Sequence, residues 1–70
     1  MEIDKISKQF LDAYDKYADD LFRHVIFRVS DKEAAKELLQ ETFMKTWEYL
    51  KKGNKVDEIR PFLYRVLHNQ

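Results

Sequence analysis

The chain has 70 residues, 44% of them hydrophobic, 14% aromatic and 37% charged, with 13 basic and 13 acidic side chains. That length makes one domain at most and buries only about 60% of what the unfolded chain exposes, while the aromatic content and zero net charge exclude a disordered polymer. The absence of cysteine excludes disulfides, thiolate metal sites and thiol nucleophiles, and no apolar run exceeds three residues (Val25 to Phe27), so no stretch resembles a membrane span or signal sequence.

A soluble cytoplasmic domain is therefore expected. One glycine and one proline, with no strand-like alternation, indicate an all-α chain. The first helical pattern runs from about Ile6 to Val29, with Phe10, Ala13, Tyr14, Tyr17, Leu21 and Val25 recurring at three- and four-residue intervals. Its length invites a bend near Ala18-Asp19-Asp20, where two aspartates are able to start another helix and raise the count from three to four.

Ser30-Asp31-Lys32-Glu33 reads as a helix start, with serine and the glutamate three residues on forming a capping box. The helix then runs to Lys52, where Gly53-Asn54 supplies a left-handed stop. Asp57 is the expected cap of a third helix, with Pro61 in its first turn and Phe62, Leu63, Val66 and Leu67 on its apolar side. The whole is a three-helix bundle joined by short loops, and this third helix reads as cut short at Gln70, so that the 1–70 domain is incomplete at its C-terminal side.

Charge is not spread evenly. Residues 1–50 hold 8 basic and 11 acidic side chains, a balance of −3, and residues 51–70 hold 5 basic and 2 acidic, a balance of +3. An acidic body with a basic end suits two different partners, although two ordinary solvated faces would give the same numbers.

Catalytic chemistry finds little to work with. Asp20 and His24 stand four apart on one helical face, but two ligands without a third make a surface pair rather than a metal site. His68, near the basic end, suits a helix surface or a nucleic-acid contact better than a general base. A single glycine rules out a glycine-rich phosphate loop. No enzyme and no cofactor are expected.

On the central helix, Ala35, Leu38, Leu39, Thr42, Phe43, Thr46, Tyr49 and Leu50 collect on one arc, the expected core face. Opposite lie Glu37, Gln40, Glu41, Met44, Glu48 and Lys51, with Trp47 on the border. A lone exposed apolar residue is ordinary on a protein surface. A methionine ringed by acids and amides nevertheless suits contact with a basic partner helix, because its unbranched thioether adapts to the surface it meets.

The string ELLQETFMKTW, Glu37 to Trp47, resembles the core-binding segment of bacterial RNA polymerase sigma factors, and PFLYRVLHN, Pro61 to Asn69, is similar to the family's Trp-Leu-Tyr-Arg-Ile-Ala-Arg-Asn. The spacing from Gln40 to Asn69 and the opening from Phe10 to Gln40 resemble the extracytoplasmic-function (ECF) subgroup, so the likeness covers nearly the whole chain. It implies a region-two helical domain that takes part in transcription initiation. Glu37, Gln40, Glu41, Met44 and Glu48 would then face the clamp-helix coiled coil of the polymerase β′ subunit. The loop Lys52 to Asp57, with Lys55, would surround a base flipped from the single-stranded minus-ten promoter element, and Arg65, His68 and Asn69 would face that DNA.

Elementary chemistry fits these roles. Basic side chains neutralise phosphates, an amide pairs with base edges, and a pocket must recover the few kcal/mol that extruding a base costs. An anti-sigma factor is a further partner the family admits, and no membrane partner is expected. Departures from the pattern are Phe62 for tryptophan, Leu67-His68 for Ala-Arg and Glu37 for aspartate. The family's second, minus-thirty-five-reading domain is not in these 70 residues. Two other readings are a helical protein-protein adaptor without DNA binding, and a degenerate sigma-like protein that occupies the clamp but cannot melt DNA.

Overall fold

The computed structural model describes the backbone of residues 2–70 and the side chains of residues 5–70. Three α-helices follow in order: α1 (Glu2–Val29), α2 (Lys32–Lys51) and α3 (Ile59–His68). At 1.5 Å per residue, 28 residues of α1 make a rod of about 42 Å, which sets the long axis of a body measuring 41 × 21 × 18 Å. No new helix starts at Ala18-Asp19-Asp20: α1 runs unbroken through them, and the described residues form three helices. Ala18 and Tyr17 pack against the core while Asp19 and Asp20 are exposed, so α2 and α3 hold one continuous apolar stripe of α1 across that point.

The two tight connections are set by single residues. Ser30 ends α1 with φ 58°, its N–H donating to the Ile26 carbonyl at 3.1 Å, a left-handed cap position that glycine usually fills. The cap of α2 is therefore Asp31 and not Ser30: the Asp31 carboxylate accepts from the Glu33 N–H at 3.1 Å. With Ser30 already in the left-handed region, its backbone is committed to closing α1 and is not extended as an N-cap must be. Gly53, at φ 95°, closes α2 as its sequence position indicates. The expected cap Asp57 is displaced as well, since α3 is entered through Glu58, whose side chain makes no capping bond. Pro61 sits third in α3, within the first turn, where its missing N–H costs nothing.

The core is one cluster of Ala13, Leu21 and Val25 from α1, Ala35 and Phe43 from α2, and Leu63 and Leu67 from α3. Leu21 and Leu63 are fully buried. Thr42 and Thr46 are buried too, and each hydroxyl is satisfied by donating 2.8 Å to a carbonyl one turn back, Leu38 and Thr42 respectively. One core assignment fails, since Tyr49 is 40% exposed, and Tyr14 of the α1 pattern is 47% exposed as well. Each ring leans on a neighbour instead, Tyr14 on Phe43 at 4.9 Å and Tyr49 on Phe62 at 4.9 Å. Phe62 thus belongs to this half-exposed pair, and Leu63 is the true anchor of α3.

Candidate functional site

The first candidate surface lies between the N-terminal half of α1 and the middle of α2. Phe10 meets Phe43 edge-on at 5.9 Å and Trp47 at 5.2 Å. These rings line a groove of about 790 Å³. It is walled by Phe10, Leu11 and Tyr14 on one side and Leu39, Phe43, Met44 and Trp47 on the other, with Ser7, Lys36 and Gln40 at the rim. Met44 is 56% exposed at its lip.

Of the five α2 residues expected to face a partner, Gln40 and Met44 line this groove. Glu37, Glu41 and Glu48 do not line it but are exposed, and at about 100° per residue they fall within about 60° of Met44 on the outer flank of α2. The set is therefore a single surface: an apolar slot whose α2 edge carries an amide and three carboxylates. Ion pairing leaves these acids free for a partner, since the salt bridge found among the described residues is Lys36–Glu33, exposed and 3.9 Å long, worth well under about 1 kcal/mol.

Sequence reasoning missed the α1 wall. Leu11 falls off the core register of α1, and its exposure is the same kind of signal as Met44, an apolar residue on the wet side. Only the packing shows that the two lie across one groove.

The second candidate surface is the loop between α2 and α3 with the outer face of α3. Lys52, Lys55 and Asp57 are all exposed, as are Arg65, His68 and Asn69. Stepping along α3 puts Arg65, His68 and Asn69 on one face, opposite Leu63 and Leu67 that bury the helix. The six do not form one cluster. The loop residues stand at the start of α3 and His68 and Asn69 at its end, about 15 Å of helical rise away.

The far end is reinforced from α1 by a residue the sequence did not single out. A guanidinium N–H of Arg28 donates to His68 Nδ1 at 2.6 Å, so this histidine is held by α1 while its ring edge stays exposed. His24 is not the surface residue expected from its pairing with Asp20. It is half-buried, edge-on to Tyr64 at 5.3 Å and to His68 at 5.2 Å, with its Nε2 buried and without a hydrogen-bond partner. Arg60 lies 5.1 Å over the Tyr64 ring. Arg28 thus joins His68 at the C-terminal end of α3, Arg60 stands at its start, and Arg65 is exposed between them. Among the described residues no group of three metal-ligating side chains occurs, and no helix is long and apolar enough to cross a membrane.

Comparison with known proteins bears on what these surfaces serve. The family model described as sigma-70 region 2 matches residues 13–70. The chain is 32% identical over 58 residues to the ECF RNA polymerase sigma factor SigM of Bacillus subtilis strain 168, a match covering 83% of this chain and 35% of that protein. The chain thus spans about a third of the length of that curated relative. No solved structure matches it.

Proposed function

The chain belongs to the sigma-70 region 2 family, in its extracytoplasmic-function branch, and on that premise we propose that it docks on RNA polymerase core and contacts single-stranded promoter DNA during initiation. The observation that carries the reading is the separation of two surfaces on one small bundle. Gln40 and Met44 open onto an apolar groove flanked by Glu37, Glu41 and Glu48, whereas Lys52, Lys55, Arg65, His68 and Asn69 lie along the loop and outer face of α3.

The first surface suits the β′ clamp helices. An amphipathic helix places apolar side chains in the slot, its basic side chains meet the carboxylates, and Gln40 supplies both a donor and an acceptor to fix register. The charges steer the encounter and select a basic partner, while the apolar contact supplies most of the affinity.

The second surface suits the minus-ten element. Lys52, Lys55 and Arg65 neutralise phosphates, which makes binding fall with salt but carries no sequence information. Asn69, an exposed amide on the same face, is assigned to a base edge. The loop, joined at both ends to helices, is where an extruded base would sit, with the tilted pair Tyr49 and Phe62 as the nearest aromatic surface on the flanking helices.

The test is calorimetric titration of a β′ clamp-helix fragment into the chain, with Glu41→Lys alongside. Saturable binding that the charge reversal weakens is the expected result. No heat of binding from a chain shown helical by circular dichroism would overturn the docking proposal and favour an adaptor with another partner.

A further inference from the structure

We infer that Gln9 is a positioning residue: from α1 it holds the α2–α3 loop in the shape that receives single-stranded DNA. The inference rests on the DNA reading proposed above and adds to it a residue outside both candidate surfaces.

The loop is secured unevenly. Its first half is tied down locally, where the Gly53 N–H donates to the Leu50 carbonyl at 3.0 Å and the Asn54 side-chain amide donates to the Tyr49 carbonyl at 3.1 Å. Both bonds end on the last turn of α2, so they fix only the departure of the chain. The second half, Lys55 to Glu58, has no such anchor, because the entry to α3 at Glu58 lacks a side-chain cap. Gly53 adds freedom at the hinge, with open space around its Cα.

Besides the partial burial of the Val56 side chain, what reaches this half from α1 is one hydrogen bond. The Gln9 side-chain amide donates to the Val56 carbonyl at 3.2 Å, 47 residues away in sequence and partly buried. Among the described residues no other hydrogen bond links the loop to α1. Val56 is half-buried and its neighbours Lys55 and Asp57 are exposed, so pinning the Val56 carbonyl sets where both charged side chains stand.

Gln9 is itself well placed to act as a fixed point. The next residue, Phe10, is wedged edge-on between Phe43 and Trp47, which locks this turn of α1 against α2. A loop released from it samples many arrangements and binds a ligand only through the fraction that is competent, which lowers apparent affinity by that fraction. A single net hydrogen bond corresponds to about a three- to tenfold effect.

The decisive variant is Gln9→Met, which keeps length and helix propensity but removes the donor, with Gln9→Glu as a second variant whose carboxylate also cannot donate at neutral pH. Three quantities are measured on the 70-residue chain. They are NMR order parameters of residues 54–57, affinity for a labelled single-stranded DNA pool with a randomised ten-nucleotide core, and affinity for the β′ clamp-helix fragment.

The expected result has three parts. Order parameters in the loop fall from about 0.85 toward about 0.6, DNA affinity drops about three- to tenfold in both variants, and clamp-fragment affinity is unchanged. Selective loss of DNA binding is what distinguishes positioning from general destabilisation. Equal loss of both affinities, an unchanged loop, or a loosened loop with full DNA affinity would each overturn the role of Gln9 while leaving the DNA reading intact. Failure of the wild-type chain to bind the pool would remove the DNA reading itself, and this inference with it, before any variant is compared.

Discussion

Truncating Met44 to alanine isolates the apolar part of the proposed docking surface. Full burial of a methionine side chain is worth about 1.5–3 kcal/mol, and Met44 is 56% exposed in the free chain, so about 0.8–1.7 kcal/mol of its burial remains for a partner to complete. At about 1.4 kcal/mol per tenfold, Met44→Ala should raise the Kd for the β′ clamp-helix fragment about four- to fifteenfold. Met44→Lys should weaken binding further, because it sets a cation against a basic partner. Alanine is a better helix former than methionine, so helicity should hold and the loss should come from the interface. Phe27→Ala is the matched control: Phe27 is 85% exposed near the C-terminal end of α1, remote in the sequence from the groove, and its removal should leave the Kd alone. Calorimetry on the three variants, with circular dichroism for each, decides the matter. A Kd for Met44→Ala within twofold of wild type would refute the argument that this side chain is held out for a partner.

Other perturbations probe the fold and the second surface. Leu63→Ala empties a site that is 0% exposed and should cost about 2–5 kcal/mol, read as the midpoint shift in urea unfolding. Ser30 and Gly53 form a reciprocal pair, since both backbones lie at positive φ. Ser30→Gly should stabilise by up to about 1 kcal/mol, raising Tm by several degrees, and Gly53→Ala should destabilise by about 1–2 kcal/mol although its side chain has open space. A gain from the alanine would show that the strain assigned to that turn is absent. Arg65→Ala and Asn69→Ala should weaken single-stranded DNA binding while sparing the clamp fragment. Arg65→Ala should also flatten the salt dependence by about one phosphate contact, and Asn69→Ala should not. Equal loss of both ligands would point to unfolding.

The three helices were legible from the chain because each buries one stripe, and a 3.6-residue period survives any detail of packing. Met44 and the acids around it were legible for the same reason, since an apolar residue on the wrong side of a wheel needs only its own helix to be noticed. Helix ends were less so. Ser30 and Asp31 both suit an N-cap by type, and the choice fell to Asp31 because the turn after α1 required a left-handed residue immediately before it. The unbroken course of α1 through Asp19 and Asp20 was likewise a tertiary decision, made by α2 and α3 packing along its whole apolar side.

What the sequence could not contain is any contact between residues that share no period. Leu11 and Met44 line one groove only because α1 and α2 pack side by side through Phe10, Phe43 and Trp47. Arg28 reaches His68 across 40 residues, and Gln9 reaches Val56 across 47. A polar residue on a helix carries no mark of the carbonyl it will meet. Periodicity and composition therefore determined the elements, their core faces and the charge of each end of this protein, while the tertiary structure alone decided which exposed side chains share a surface and what holds the loop between them.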